Sequence, residues 1–138
     1  MAKLGSFDYS EFKNMGKRFN KALDERIIER WIMEFLLEMA FRAERKIKKR
    51  TPVDSGHLRR NWQVGNVERR GNAYVVEVFN NVEYASFVEY GHRTSNHKGW
   101  VEGRFMATIS MQELERQLPK FLEKKQVELL EQILNGRW

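Results

Sequence analysis

The feature that most constrains the fold is a change of apolar rhythm across Thr51–Trp62, TPVDSGHLRRNW. Before it, Ile28, Trp31, Ile32, Phe35, Leu36, Met39, Ala43 and Ile47 recur at steps of three and four residues. That is the stripe of an amphipathic helix. Beyond it, Leu58, Trp62 and Val64 share one parity, the alternation of a strand. Pro52 has no N–H to continue a helix, and it pushes Thr51 out of the α region. Asp54 and Ser55 favour a turn by hydrogen-bonding their own backbone, and Gly56 supplies a positive φ. A chain with this junction mixes helix and strand.

Upstream of the helix stripe, residues 1–9 carry no period and are expected to be flexible. A first helix is predicted from about Glu11 to Leu23, capped by Ser10, with Phe12, Met15, Phe19 and Leu23 on one face. Asp24 reads as a cap or break before the second helix. Downstream, Leu58 to Val64 reads as a strand, and Gly65–Asn66 shifts its parity as a bulge or bend does. Gly71–Asn72 signals a two-residue hairpin turn. The next strand, Ala73 to Asn80, is apolar on both parities and so reads as central. Tyr84 to Tyr90 reads as a short helix with Gly91 as its left-handed cap.

His92 to Gly103 then reads as a polar loop, and Phe105, Ala107 and Ile109 as the inward face of a closing strand. Ser110 and Glu113 fit a capping box opening a last helix, which Pro119 should kink or divide and Gly136 should end. The architecture expected is α+β: a small, mainly antiparallel sheet of three to four strands packed with long N-terminal and C-terminal helices. One domain over 1–138 is expected, with a helical arm at 10–50, a sheet-containing core at 51–109 and the last helix at 110–136.

Composition narrows the function classes. With 41% hydrophobic and 32% charged residues the chain is globular, and with no cysteine it has neither disulfides nor a thiolate metal site. The N-terminal residues MAKLGSFDYS hold no signal-peptide core and no run approaches a membrane span, so a soluble protein made in a reducing cytoplasm is expected. The net charge is +6. It is densest at Arg42, Arg45, Lys46, Lys48, Lys49 and Arg50, either a solvated helix end suited to the C-terminal dipole or a contact for a polyanion.

Catalytic chemistry finds little to stand on. His57, His92 and His97 are the only histidines, and His92 and His97 with Glu102 lack the convergent spacing of a zinc site. Ser55, Ser86, Ser95 and Ser110 read as turn, helix-surface, loop and cap residues, with no nucleophile elbow and no phosphate-cradling glycine loop. No catalytic residue, metal or cofactor is therefore expected. Two alternatives remain. One is a basic nucleic-acid-binding module, its cations interleaved with Trp62, Tyr74, Trp100 and Phe105. The other is a small ribonuclease-type toxin, with His57 or His92 as base and Arg59, Arg60 or Arg93 on the phosphate.

A third class, structural assembly, rests on two ordered motifs. Thr51-Pro-Val-Asp-Ser-Gly with Leu58-Arg59 and Trp62 is followed some thirty residues later by Tyr84-Ala-Ser-Phe-Val-Glu-Tyr-Gly91 and Arg93. The pattern TPxDxGxLR…YAxxVEYGxR resembles that of a tail-component family of tailed bacteriophages, whose members are minor tail, head–tail joining or tail-completion proteins. The likeness runs in detail from Thr51 to Ile109. His92 stands where the pattern more often has Thr, and SNHKGWVEG replaces a proline–aromatic segment.

The resemblance implies a non-enzymatic virion subunit of a phage, a prophage or a tail-like particle. Such a subunit is made in the host cytoplasm and placed at the head–tail interface, with no membrane contact. It implies a homo-oligomeric ring, commonly hexameric, that meets connector and tail-tube proteins and lets DNA pass. Thr51, Pro52, Asp54, Gly56 and Leu58 would then fix the turn, and Tyr84, Val88 and Gly91 would dock the short helix. Arg59, Trp62, Glu89, Arg93 and Trp100 are the candidate interface residues. Arg59 and Arg60 would stand on opposite strand faces. Glu89 and Arg93 suit polar contacts within a subunit or between subunits, and Trp100 suits an anchor.

Overall fold

The computed structural model describes residues 9–24, 26–53 and 56–137. Residues 1–8, Asp54 and Ser55 lie outside the described residues. So do the side chains of Ser10, Phe12, Met15 and Asp24, on which the expected cap and part of the first apolar face rest.

Helix α1 spans Tyr9–Asp24 and α2 spans Ile27–Arg50. Between them Arg26 takes φ 55 and donates its N–H to the Leu23 carbonyl at 3.1 Å, so the two are separate helices. Helix α5, Met106–Leu134, runs through Pro119 and is not divided there. It packs along α2. Phe35, Met39, Ala43 and Ile47 of α2 meet Leu114 of α5 in the main core, which also takes Leu58, Trp62 and Met106. At the other end Ala22, Ile27, Leu129 and Ile133 tie α1, the start of α2 and the end of α5 together. The Arg18 guanidinium donates to the Leu134 carbonyl there, supplying a donor to an acceptor that the end of a helix leaves unpaired.

The junction after α2 behaves as its residues dictate, with one correction. Thr51 is 3% exposed; its hydroxyl donates to the Ile47 carbonyl at 2.7 Å and accepts from Trp62 Nε1 at 2.9 Å. The end of the helix and the first strand residue are thus held by one side chain. Gly56 sits at φ 72. The correction is that Leu58 is not in a strand: residues His57–Arg60 form a helical turn, α3, and strand β1 is Trp62–Val64. Leu58 and Trp62 are four apart, a spacing shared by a helix turn and a strand face, so parity does not distinguish them. Consequently Arg59 and Arg60 are neighbours on a turn, not on opposite strand faces.

Strands β2 (Glu68–Arg70), β3 (Ala73–Val75) and β4 (Val78–Asn80) follow. β1 pairs antiparallel with β4, and β2 with β3. Arg70 faces Ala73 across Gly71–Asn72, so the two-residue hairpin turn is present. Val64 faces Val78 while Glu68 faces Val75, which sets residues 65–67 against 76–77. The extra residue is the bulge that the parity shift implies. The expected sheet of three to four strands is replaced by two-stranded antiparallel pairs, and Ala73 to Asn80 is not a central strand. Its double apolar parity serves the bulge: Tyr74, Val75, Val76 and Val78 all line one groove.

Helix α4 is Ala85–Tyr90, and β5 (Gly91–Arg93) pairs with β6 (Trp100–Glu102), where a loop was expected. The residues read as a closing strand, 105–109, instead run into the first turn of α5. Ser110 is no cap: it is fully buried inside α5 and accepts from Arg50 at 3.1 Å, while Glu113 pairs with Arg50 and Lys46 of α2. The Ser110–Glu113 pair clamps two helices rather than opening one. Among the described residues no helix is long and apolar enough to cross a membrane.

Candidate assembly interface

Glu89 organises the region of the second motif. It is 5% exposed, and its carboxylate accepts from the Ala107 N–H at 2.9 Å, the Thr108 N–H at 2.8 Å and the Thr108 hydroxyl at 2.8 Å. Those amides belong to the first turn of α5, whose N-cap residue, Phe105, has no side-chain acceptor with which to cap it. A buried carboxylate there satisfies orphan donors and meets the positive end of the helix dipole. Glu89 therefore makes its polar contacts within the subunit.

Gly91 makes the approach possible. At φ 88 and ψ 173 it occupies a region that is essentially glycine's alone, not the left-handed helical cap expected of it. A Cβ there would lie 2.5 Å from the Val101 carbonyl oxygen, and one on Gly103 would lie 2.5 Å from the Glu89 carbonyl oxygen. These two contacts let the β5–β6 hairpin fold back on α4, with the Arg104 and Phe105 amides bonded to Val88 and Glu89. Thr94 and Asn96 close the hairpin tip: Thr94 Oγ1 accepts from the Gly99 N–H at 3.1 Å, and Asn96 Oδ1 from the Lys98 N–H at 3.0 Å.

The outer side of this platform is apolar. Tyr90 is 63% exposed, Trp100 56%, and Phe105 and Ile109 38% each. The Tyr90 and Phe105 rings meet edge to face at 6.5 Å, and Trp100 lies over Gly91. Arg93 stands opposite Trp100 in the hairpin register. Exposed aromatics grouped in this way mark a contact surface. Tyr84 does not dock the short helix by its side chain, which is exposed; its carbonyl accepts from the Val88 N–H instead, and Val88 packs against the core.

A second apolar surface lies between α2, the β3–β4 arm and α5. It is a groove of about 560 Å³ whose walls include Leu36, Ala40, Val76, Met111, Glu115 and Leu118. Tyr74 also lines it; burial and a hydrogen bond to Glu29 raise that phenol above its usual range.

The remaining expected residues divide. Trp62 is buried and hydrogen-bonded to Thr51, so it is not available on the surface as an interface or stacking residue. Arg59 is half-buried on α3 and Arg93 exposed on β5. The basic end of α2 is largely committed: Arg42 pairs with Glu38, Lys48 with Glu44, and Lys46 and Arg50 with Glu113. The hydrogen bond from Arg50 holds the Glu113 carboxyl below its usual range. A polyanion would have to displace these carboxylates. His57 lines a pocket with Asn61, Val82, Glu83 and Tyr84, whereas His92 packs on Phe87 with ring centroids 5.5 Å apart, so they do not share a site. Among the described residues no group of three or more His, Asp or Glu converges as a metal site.

The groove and the second hairpin escaped sequence reasoning. The hairpin had a signal in Thr94-Ser-Asn-His-Lys-Gly99, a run of turn formers between His92-Arg93 and Trp100-Val101. Its strands, three residues each, are too short to show an alternation.

With this geometry in place, the comparison with protein families is informative. A family model described as "Bacteriophage HK97-gp10, putative tail-component" matches residues 13–91, more than half of the chain, and the protein belongs to that family. The match takes in most of α1, all of α2, the Thr51 junction and the segment ending at Gly91, and stops before β6 and α5. No curated protein and no solved structure matches the chain.

Proposed function

We propose that the protein is a non-enzymatic structural subunit of a phage or prophage neck. It is a tail-completion or head–tail joining protein that assembles as a ring between connector and tail tube. Membership of the phage tail-component family carries this reading, because the match contains both signature motifs up to Gly91. The exposed Tyr90–Trp100–Phe105 surface supports it, since a subunit acting by assembly needs apolar area that its own fold leaves uncovered. Membership of the family supports a location with the virion and other phage structural proteins as partners.

Deleting the coding sequence from the phage tests the proposal. Intact heads and intact tails that fail to join are expected by electron microscopy, with joining restored by the protein supplied in trans. Normal infectious virions without it would overturn the reading.

A further inference from the structure

We infer that neighbouring copies of this chain join head to tail, the Tyr90–Trp100–Phe105–Ile109 surface of one copy seating in the α2–β3/β4–α5 groove of the next. The inference rests on the ring reading and supplies the contact it requires. A closed ring needs two different, mutually complementary surfaces on each subunit, whereas a single self-complementary patch yields only a pair. Both surfaces are present and both border the first half of α5. At about 100° per residue, Ile109 stands roughly 140–180° around the helix from Met111, Leu114 and Leu118. One side of α5 thus faces the aromatic surface and the opposite side the groove. Contacts on opposite sides of one rigid element propagate from copy to copy.

The two surfaces match in shape and charge. One is a set of exposed rings carried by the end of α4, by β6 and by the entry to α5; the other is an apolar trough large enough to accept a pair of aromatic side chains. Beside the rings stand Arg93 and Arg104, neither in an ion pair among the described residues, together with Glu102. Glu115, also without an ion pair among the described residues, lines the trough. Cations meeting a carboxylate fix the direction of the contact and disfavour joining two like surfaces.

The absence of cysteine makes the contact directly testable. Tyr90→Cys and Met111→Cys each replace an exposed side chain and leave the core intact. The two single variants, mixed in equal amounts at high concentration and oxidised, are expected to give a heterodimer in at least ~10-fold excess over either homodimer. Homodimers as abundant as the heterodimer, or no disulfide between copies, would overturn the inference. The double variant separates it from the ring reading. A ladder ending at a closed species supports both, and an open-ended ladder keeps the contact but rejects the ring. If wild-type rings are seen while the single variants fail to cross-link, the ring stands and this contact falls.

Discussion

The two motif regions use the same kinds of residue to opposite ends. Around Thr51 the side chains turn inward: Thr51, Leu58 and Trp62 are all buried, and the polar atoms are spent on each other. Around Glu89 only the carboxylate and Gly91 are buried, while Tyr90, Trp100 and Phe105 face outward. The first region is a joint in the fold; the second is a platform that the fold builds to display apolar surface. An ordered sequence motif therefore marks a backbone requirement first; of the exposed rings only Tyr90 is a motif position, and Trp100 and Phe105 lie downstream of it. Loss of folding should follow from changes to the buried set, and loss of assembly alone from changes to the exposed set.

The largest expected effect is at Glu89. Replacing it with Ala strands two amides and a hydroxyl at the buried start of α5. Hydrogen bonds to a charged group are worth about 1.5–3 kcal/mol each, so losing all three is expected to cost about 4.5 kcal/mol or more by urea denaturation. Glu89→Gln retains acceptors without charge and should lose less. Equal losses would mean that burial alone matters and that the helix-start charge contributes nothing.

At the other motif Thr51→Val keeps the shape but leaves the Trp62 indole N–H and the Ile47 carbonyl without their partner. An unpaired buried group costs about 1–3 kcal/mol, so a smaller but clear loss is expected. A neutral result would show that the junction is held by Pro52 and the apolar contacts of Trp62, not by the hydroxyl.

A weaker effect is expected from pH. The carboxyl of Glu113 is held below its ordinary value of 4.5, with the hydrogen bond from Arg50 as the main cause. Its folded pKa lies below its unfolded one. Its contribution is therefore full above pH 4.5 and fades as pH falls through the lower folded value. The pair is partly exposed, so the change should be modest. Thermal melts of wild type and Glu113→Gln should differ near neutrality and converge in acid. Parallel curves down to acid pH would remove the clamp from the account of α2–α5 packing.

How far these regions were legible beforehand follows from the range of their interactions. The Thr51 joint was readable because Pro52, Gly56 and the apolar spacing act locally, and the bulge at Gly65–Asn66 was readable from parity. The start of α5 was not. Its cap comes from Glu89, far back in the sequence, so the local Ser110–Glu113 pattern suggested a helix start that the fold does not use. The alternation of Phe105, Ala107 and Ile109 imitated a strand for the same reason. Trp100 was recognisable as exposed from its polar neighbours. Its setting beside Tyr90 and Phe105 depends on Gly91 and Gly103 meeting across the hairpin, which no local pattern announces.

The smallest expected effect on stability is the most informative about the comparison. Trp100→Ala and Tyr90→Ala remove large side chains that lie mostly in solvent, and surface changes of that kind fall within about 0.5 kcal/mol. Buried Trp62, by contrast, should cost about 3–5 kcal/mol when truncated to Ala, since it fills the core and carries a hydrogen bond. Two tryptophans on one short chain would thus differ by a large fraction of a domain's stability, while on the proposed assembly only the outer one would serve the joining of copies. The measurement is a pair of readings on each variant, a urea midpoint and a complementation titre in the deletion phage. Trp100→Ala should keep the midpoint and lose the titre. If it lowers the midpoint as Trp62→Ala does, the hairpin is part of the core and the division between joint and platform fails.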